Sequence, residues 1–405
     1  MSKRLVIIGA GMATSYLLQE LEDLGTNLDI TVIGEEREFC YNRVLLSSLL
    51  AEEATEDQLQ MLSTDRAPIA RFLTDTRATA IDTRQSLVHC DKGPDLAYDH
   101  LVLATGSSVA RPQGIDCDLE GVMAFRNLAD ARQLQSVELR GQRAIVVGGG
   151  LLGLEAAHGL NRLGYETTVL HRNAWLMNRQ LDQPGAEQLL RDLQASGIQF
   201  EMSASISRLN SSEGRITSVT LDSDKQLDCD VLLLASGITP NKSLAQHAGL
   251  DTDRGVLVTP NLRSSRPGIY ALGECSQIGQ QCFGLVAPIR RQAQVLACEL
   301  MEKPGPGFAI EDWPTQLKIS DIDIYRAGDL DADAEQLVLN DAANGIYRRL
   351  VIREDRLIGA VLVGDKRGGT WYSELIQSRR NIAGMRPGLM FGPDVAQALL
   401  PAVAA

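Results

Sequence analysis

Two glycine-rich segments are the parts of this chain best suited to binding phosphates. Each follows a short apolar run, in residues 5–11 and 144–153. Glycines permit a tight turn and a close approach of backbone to a pyrophosphate, whose charge the amides at a helix start then bind. The pair predicts a chain that holds two dinucleotides, the alternative being two unrelated strand–helix turns. The second segment has the full GxGxxG spacing, whereas the first has Thr14 where the third glycine would stand.

The expected phosphate contacts are the glycines and the first residues of each following helix. In the first segment we assign this role to Gly9, Gly11, Met12 and Ala13. In the second segment the corresponding residues are Gly148, Gly150, Leu151, Leu152 and Gly153.

The elements around the first turn predict a parallel sheet. A strand and helix over residues 5 to about 24 are followed by an apolar strand, 30–33, that leads to Glu35. This strand–helix–strand order is typical of a doubly wound parallel sheet. Glu35 lies where a carboxylate accepts hydrogen bonds from a ribose 2′-OH. A solvated loop acid is the alternative, since Glu36 and Glu38 are close by.

The chain also contains an internal repeat. The apolar run 98–106 ends in Ala104-Thr105-Gly106, and the run 228–240 contains Ala235-Ser236-Gly237. Each follows its glycine turn at a similar distance, which indicates a duplicated domain. We predict an α/β fold with two doubly wound dinucleotide-binding domains, the second inserted in the first. After residue 310, strand-like runs and a last helix predict a small C-terminal α+β domain.

Charge and cysteine usage limit the partners. The formal net charge is -13, which argues against nucleic acid and anionic membranes because both need clustered Lys and Arg. No apolar run approaches the roughly 18 residues of a membrane span, and no signal peptide precedes the first strand, so we expect a cytoplasmic protein. The seven cysteines are scattered without a CxxC pair. The histidines lack ligand spacing, and we expect no metal site.

A third motif extends the pattern. Residues 264–274 end in Tyr-Ala-Leu-Gly-Glu. Together with both turns and both small-residue strand ends, this motif resembles the pyridine nucleotide–disulphide oxidoreductases, flavoproteins that use FAD and NAD(P)H. The resemblance implies an FAD domain (1–108 and 241–310), an NAD(P)H domain (109–240) and a C-terminal domain (311–405). It also implies cofactor contacts at Ala104, Thr105, Gly106, Gly237, Gly273 and Glu274. Glu274 would bind the ribityl chain, where the family usually has Asp.

The segment 40–48 narrows the resemblance. Ser48 stands in place of the single redox cysteine of some relatives, and Cys40 comes too early in the sequence. Serine forms neither a thiolate nor a disulphide, so we expect no thiol chemistry. The segment is similar to a Tyr-Asp-Arg-Val-x-Leu-Ser-Ser stretch of the NADH-dependent nitrite reductase large subunit. That likeness implies that Arg43 pairs with the FAD phosphates, with Ser47 beside the cofactor.

Three further segments, 176–182, 283–288 and 358–365, resemble the assimilatory nitrite and nitrate reductase flavoproteins. Nitrite reductase large subunits continue into cysteine-rich iron–sulfur and siroheme-binding regions, which this sequence lacks. The resemblance therefore implies a diaphorase. Such a protein passes electrons from NADH through FAD to an iron–sulfur or molybdenum-containing subunit of nitrate or nitrite reductase.

Hydride transfer between nicotinamide and flavin depends on positioning more than on acid or base groups. By resemblance, Glu155 matches an acid that borders the nicotinamide, the alternative being an exposed helix acid. A helix from about Pro288 to Leu300, with Ala287 before it, would direct its positive end at the flavin N1/O2 region. His171 and Arg172 follow the strand 167–170 and favour the 2′-phosphate of NADPH. Similar nitrite reductases often have His there and use NADH, so we expect NADH.

Two other functions stay open at this point. One is a rubredoxin or ferredoxin reductase, with the same chemistry and a small electron carrier, although Ser48 replaces a lysine of several ferredoxin reductases. The other is a redox-sensing flavoprotein without significant turnover.

Overall fold

The structure is a computed structural model that describes residues 2–62, 69–112, 115–136, 141–311, 313–319 and 322–398. No helix in those ranges has the length and hydropathy needed to cross a bilayer. The chain divides into two compact units, each built from several segments. The first unit contains Met1–Ala110, Arg126–Ala131 and Gly237–Ile310, and the second contains Arg111–Phe125, Arg132–Ser236 and Glu311–Ala405.

The first unit is built on a five-stranded parallel sheet. Its strands are β1 (Arg4–Ile8), β2 (Asp29–Ile33), β3 (Arg71–Leu73), β7 (His100–Leu103) and β19 (Ile269–Ala271). They are arranged in the order β19-β7-β1-β2-β3. The central strand is almost wholly buried, as parallel strands covered on both faces require. The helices assigned to this unit are α1 (Met12–Asp23), α2 (Leu46–Leu50), α6 (Ser243–His247) and α7 (Val286–Leu300).

The second unit repeats this plan in another five-stranded parallel sheet. Its strands are β9 (Val122–Ala124), β10 (Arg143–Val147), β11 (Glu166–His171), β12 (Gln199–Met202) and β16 (Val231–Leu234). Their order is β12-β11-β10-β16-β9. The two sheets differ in the chain position of one edge strand. In the first sheet this strand is β19, which comes last of its strands in the chain, whereas in the second sheet it is β9, which precedes the glycine turn. The helices are α4 (Leu151–Arg162) and α5 (Gln183–Ala195), and α3 (Leu128–Leu134) starts in the first unit's segment.

Each parallel sheet carries a three-stranded antiparallel insertion, which precedes β7 in the first sheet and β16 in the second. These strands are β4 (Ala78–Asp82), β5 (Leu87–Cys90), β6 (Leu96–Ala97), β13 (Ile206–Ser212), β14 (Arg215–Leu221) and β15 (Gln226–Asp228). In the first unit, β8 (Ser107–Val109) and β17 (Ile238–Pro240) form an antiparallel pair. They lie where the first segment of this unit ends and its last segment begins. A small sheet follows there, with β18 (Val256–Leu257), β20 (Ser276–Ile278) and β21 (Gln281–Cys282).

The C-terminal segment forms an antiparallel sheet with two helices. The elements are β22 (Thr315–Ile319), β23 (Ile322–Gly328), β24 (Glu335–Asp341), β25 (Ile346–Arg353), β26 (Arg356–Val363), α8 (Gly369–Ser378) and α9 (Pro393–Ala398). The strand order is β22-β23-β26-β25-β24. The core includes Leu350, Leu362, Tyr372 and Leu389. Short 3-10 helices occupy Arg43–Leu45, Glu56–Leu59, Gly273–Cys275 and Ala383–Phe391.

Within the second unit, the C-terminal sheet is joined to the start of α5 by a buried polar contact. Asp182 precedes α5 and accepts hydrogen bonds from the Tyr347 hydroxyl at 2.5 Å and the Arg349 guanidinium at 3.1 Å. Burial raises the pKa of Tyr347, and the Asp182 carboxylate adds to this, so the phenol keeps its proton. Strand β25 of the C-terminal sheet is thus joined to the start of α5 in the second unit.

The α/β fold with two parallel sheets and a C-terminal domain is confirmed. The predicted limits of the three domains stay a prediction. The helix expected near Pro288 begins at Val286, so the proline occupies its first turn, where a missing amide proton costs no internal hydrogen bond.

Candidate dinucleotide sites

The first glycine turn joins β1 to α1. Gly9 has φ +114°, and a Cβ built on it would overlap the carbonyl oxygen of Ala104. Gly11 is the residue before α1 and provides no side-chain cap. In α1, which is described over its whole length, no acidic residue lies in the first turn. The amides of Met12 and Ala13 therefore start a helix whose positive end suits an anion.

The second turn, between β10 and α4, has the same geometry. Gly148 has φ +131°, and its Cβ would overlap the carbonyl oxygen of Ala235. Gly150 precedes α4 without a side-chain cap, and the first turn of this fully described helix has no acidic residue. Leu151 and Leu152 open the helix. Both turns thus combine a glycine packed against the next strand end with the uncapped helix start that suits a pyrophosphate.

The two turns differ at their third position. A Cβ on Gly153 would overlap the carbonyl oxygen of Gly148, so glycine is required for α4 to approach its turn. In the first turn the Thr14 hydroxyl instead donates a hydrogen bond to the Gly9 carbonyl at 2.5 Å. The missing glycine is therefore replaced by a side chain that bonds to the turn itself.

Arg43 lies beside the first turn. A Cβ on Gly11 would be 3.9 Å from its Nε atom. The guanidinium forms an ion pair with Glu36 and donates to the Arg126 carbonyl at 2.8 Å. The Tyr41 hydroxyl also donates to Glu36, at 2.6 Å. Arg43 is therefore held at the turn by Glu36, and its expected contact with FAD phosphates stays a prediction.

Glu35 is placed differently from its neighbour Glu36. Its side chain is 66% exposed and pairs with Arg77 at 3.1 Å. Its assignment to a ribose stays a prediction. Ser47 lies in α2, where its hydroxyl donates to the Val44 carbonyl at 3.4 Å.

Glu274 lies at the carboxyl end of the first sheet in a network of charged and polar groups. It accepts hydrogen bonds from Arg126 at 2.6 Å and from the Ser107 hydroxyl at 2.7 Å. The Arg126 and Glu274 side chains are each 21% exposed. A Cβ on Gly273, just before Glu274, would be 3.0 Å from the Cβ of Ala13. The predicted ribityl acid is thus close to the start of α1.

The strand end Ala104-Thr105-Gly106 closes the same site. Asn241 donates from its side chain to the Thr105 carbonyl at 2.9 Å and from its backbone to the Gly106 carbonyl at 2.9 Å. The Thr105 hydroxyl donates to the Asn241 carbonyl at 2.7 Å. Gly106 has φ +65°, which favours glycine.

We expect Glu274→Ala to weaken FAD binding by about 10- to 100-fold, because charge-assisted hydrogen bonds each contribute roughly 1.5–3 kcal/mol. The change also leaves the half-buried Arg126 guanidinium without its carboxylate. Glu274→Asp, the residue usual in the family, should keep most of the affinity. Flavin fluorescence titration of the apoprotein measures both dissociation constants, and equal affinities for Glu274→Ala and wild type would contradict this role.

Helix α7 belongs to the first unit and contacts the loop that carries Glu274. Pro288 is buried and Ala287 is exposed. Further along the helix, the buried Gln292 side chain accepts a hydrogen bond from the Gly273 amide at 2.8 Å. This bond ties α7 to the Glu274 loop. The proposed effect of the helix on the flavin stays a prediction.

In the second unit His171 ends β11 and is 7% exposed. Its Nδ1 atom accepts a hydrogen bond from the Gly149 amide at 3.0 Å. The imidazole thus bonds to the glycine turn, while Arg172 is exposed. Glu155 lies partly exposed on α4. Gly237 has φ +135° and belongs to the first unit. The cofactor roles of these four residues stay predictions.

All seven cysteines are described and are free thiols. Burial raises the pKa of the Cys40 thiol to about 11 and that of Cys229 to about 12. Burial likewise raises the pKa of Cys275. These thiols are protonated at neutral pH and are poor nucleophiles. Ser48, in the place of a redox cysteine, fits the same conclusion.

Alkylation of the native protein at pH 7 should therefore leave flavin reduction by NADH unchanged. Excess iodoacetamide followed by stopped-flow reduction measures this. As a control, the unfolded protein should take up one alkyl group per cysteine. A loss of reduction in step with alkylation would show that a thiol takes part.

Sequence reasoning missed several groups of the first site. Glu36, Ser107, Arg126 and Asn241 all contact predicted residues, yet none belongs to a recognisable motif. The hydrogen bond between Arg126 and Glu274 joins residues 148 positions apart, and no local pattern signals such a contact. For Glu36, the only signal in the sequence is its position next to Glu35, the acid predicted to bind the ribose.

The geometry of the two turns agrees with the comparison with known proteins. Residues 3–295 match the family described as Pyridine nucleotide-disulphide oxidoreductase. The chain belongs to this family. Residues 314–380 match the Rubredoxin NAD+ reductase C-terminal domain.

Two curated relatives share about a third of their residues with this chain. An assimilatory nitrate reductase electron transfer subunit of Bacillus subtilis is 33% identical over 387 residues, covering 94% of this chain and 50% of the relative. A nitrite reductase (NADH) large subunit of Escherichia coli is 35% identical over 394 residues, covering 93% and 46%. The chain thus spans about half the length of these relatives.

A solved structure shows the same fold. The putidaredoxin reductase–putidaredoxin complex matches with a TM-score of 0.84 at 24% identity, and the match covers 98% of each chain. At this identity the match describes the fold alone.

Proposed function

We propose that this chain is a diaphorase that takes electrons from NADH and delivers them to an iron–sulfur or molybdenum-containing subunit of nitrate or nitrite reduction. The observation that carries the proposal is the pair of glycine turns with one geometry. Gly9 and Gly148 each bring the backbone against a small-residue strand end, and an uncapped helix follows each. One chain thereby offers two dinucleotide sites, as transfer between two cofactors requires.

In this proposal the first site holds FAD. The start of α1 would bind the pyrophosphate, and Glu274 with Arg126 would orient the ribityl chain. FAD, when bound, supplies the chemistry that converts a two-electron donor into single-electron steps. We expect no thiol to take part, because Ser48 stands where some relatives have a redox cysteine and Cys40 is buried.

The second site would hold NADH, with Glu155 beside the nicotinamide. In the first site, the positive end of α7 would stabilise negative charge on the reduced flavin. The preference for NADH is supported by the relative whose name specifies NADH. The inward position of His171 removes one of the two basic groups that would favour the 2′-phosphate of NADPH, while Arg172 is exposed and favours NADPH. A cytoplasmic location remains part of the proposal.

The test is anaerobic mixing of the FAD-loaded protein with NADH, and separately with NADPH, in a stopped-flow spectrophotometer. We expect NADH to bleach the flavin within milliseconds and NADPH to act much more slowly. A flavin that neither nucleotide reduces would overturn the proposal, and a kcat/KM tenfold higher with NADPH would reverse the choice of donor.

A small electron carrier is the second candidate partner, because residues 314–380 match a domain of rubredoxin reductases. Turnover with purified rubredoxin and ferredoxin should be compared with turnover in the presence of a nitrate reductase catalytic subunit. Faster reduction of the small carriers would favour this candidate.

A redox sensor would behave differently from both enzymes. It would be reduced slowly by NADH, would keep a long-lived charge-transfer band, and would show little turnover with ferricyanide. Rapid ferricyanide reduction would exclude this third possibility.

A further inference from the structure

The imidazole of His171 lies directly beneath the second glycine turn. The Gly149 amide donates to Nδ1 at 3.0 Å. A Cβ built on Gly149 would be 2.7 Å from Cγ of the ring and 2.7 Å from Cδ2 of Leu176. His171 and Leu176 therefore fill the space that the absent side chain of Gly149 leaves.

The hydrogen bond from the Gly149 amide determines which nitrogen of the His171 ring carries the proton. A backbone amide can only donate, so Nδ1 has no proton and the neutral ring has its proton on Nε2. Nε2 is buried. Burial lowers the pKa of His171 most strongly, and the charge of Arg172 also lowers it, while hydrogen bonding with the Trp175 backbone and the Asn178 side chain raises it by less. The ring is thus neutral at pH 7.

Both polar groups of Gly149 are engaged within the protein. Its carbonyl accepts a hydrogen bond from the Met177 amide at 2.8 Å. The preceding amide, that of Gly148, donates to the Leu170 carbonyl at 2.9 Å. Contacts with a nucleotide must therefore come from the groups that follow, at Gly150 and the start of α4.

We infer that His171 is a positioning residue for nucleotide binding, and that its neutral imidazole holds the Gly149 amide so that the turn presents the start of α4 to the pyrophosphate. The inference rests on the proposed function, in which NAD(P)H binds at this turn. It replaces a direct contact between His171 and the nucleotide, since the ring is buried beneath the backbone.

A pH dependence follows from this arrangement. If Nδ1 gains a proton, two donors face each other and the hydrogen bond is lost. Because the pKa of His171 in the folded protein is lowered from its ordinary value, the bond is intact at neutral and alkaline pH. It is lost only as the pH falls through the lowered pKa. Nucleotide affinity should be constant above that range and decline below it.

The test compares His171→Asn with His171→Leu in the FAD-loaded full chain. The Asn oxygen can accept from Gly149 near the position of Nδ1 and does not titrate, whereas Leu has no acceptor. Equilibrium dialysis with NAD⁺ from pH 5 to pH 8 gives the dissociation constant of each protein. We expect weaker binding of wild type at low pH, a flat profile near wild-type affinity for His171→Asn, and about tenfold weaker binding throughout for His171→Leu.

An independent readout uses no nucleotide. Nitrogen-15 NMR of histidine-labelled protein, with the His171 signals assigned by their loss in His171→Asn, should show an unprotonated Nδ1 and a protonated Nε2 at pH 7. A proton on Nδ1 would overturn the inference, as would a pH profile of His171→Asn that matches wild type. Failure of the wild type to bind NAD⁺ at any pH would instead overturn the proposed function, and the NMR result would still decide the state of His171.

Discussion

Replacing Gly148 with alanine should leave a yellow, FAD-loaded protein whose flavin is reduced by NADH at least about 100-fold more slowly, the ratio that corresponds to roughly 3 kcal/mol. The added Cβ would overlap the Ala235 carbonyl oxygen. The Cβ and the carbonyl oxygen are both fixed by the backbone, so no side-chain rotation relieves the overlap. The φ of +131° adds strain for any residue with a Cβ. The turn must therefore open, which withdraws the start of α4 from the nucleotide.

Gly164→Ala is the matched control for this prediction. Gly164 also has a positive φ, +89°, but nothing lies within 4 Å of a Cβ built on it. The control should lose about 1 kcal/mol of stability from backbone strain and keep NADH reduction. Stopped-flow rates and thermal melting of both variants separate steric closure of the turn from strain. Fast reduction of Gly148→Ala would remove this turn from nucleotide binding.

Gly9→Ala should give the complementary result, a colourless protein. Its Cβ would overlap the Ala104 carbonyl oxygen, and its φ is +114°. We expect FAD affinity to fall by about 100-fold or more, for the same reason as at Gly148. Since a bound ligand raises thermal stability by mass action, FAD should raise the melting temperature of wild type but not of this variant.

Gly25→Ala serves as the control for Gly9→Ala. Gly25 has φ +69°, and a Cβ added there would have nothing within 4 Å. This variant should bind FAD and show the yellow colour of wild type. A Gly9→Ala protein purified with a full complement of FAD would contradict the assignment of the first turn. Together the two pairs of variants assign one cofactor to each turn.

The sequence was most informative where a requirement is local. The turns at Gly9 and Gly148 were predictable because a strand, a glycine at positive φ and a helix start are consecutive in the chain. The repeat was predictable for the same reason, since each glycine turn is followed at a similar distance by an apolar run that ends in small residues. The substitution at Thr14 was visible, but its hydrogen bond to the Gly9 carbonyl was not, because side-chain direction depends on the helix that follows.

Contacts that join distant segments could not be predicted in this way. Four of the five strands of the second parallel sheet lie between Arg126 and Glu274 in the chain, because only β9 precedes Arg126. His171 was assigned to the nucleotide from its position at a strand end, yet its ring points beneath the turn. Whether the ring points toward the nucleotide or beneath the turn depends on how it packs with Leu176 and Gly149. The spacing of residues in the sequence does not reveal this packing.

The contact of Asp182 with Tyr347 and Arg349 has a consequence for engineering. A C-terminal domain taken from a relative would bring a different set of side chains to the Asp182 carboxylate. Hybrid proteins should therefore tolerate exchange when both sides of this contact move together. They should fail when the exchange leaves Asp182 without its partners, because an unpaired buried charge is costly. The segment around Asp182 and the C-terminal sheet should therefore be exchanged as one piece.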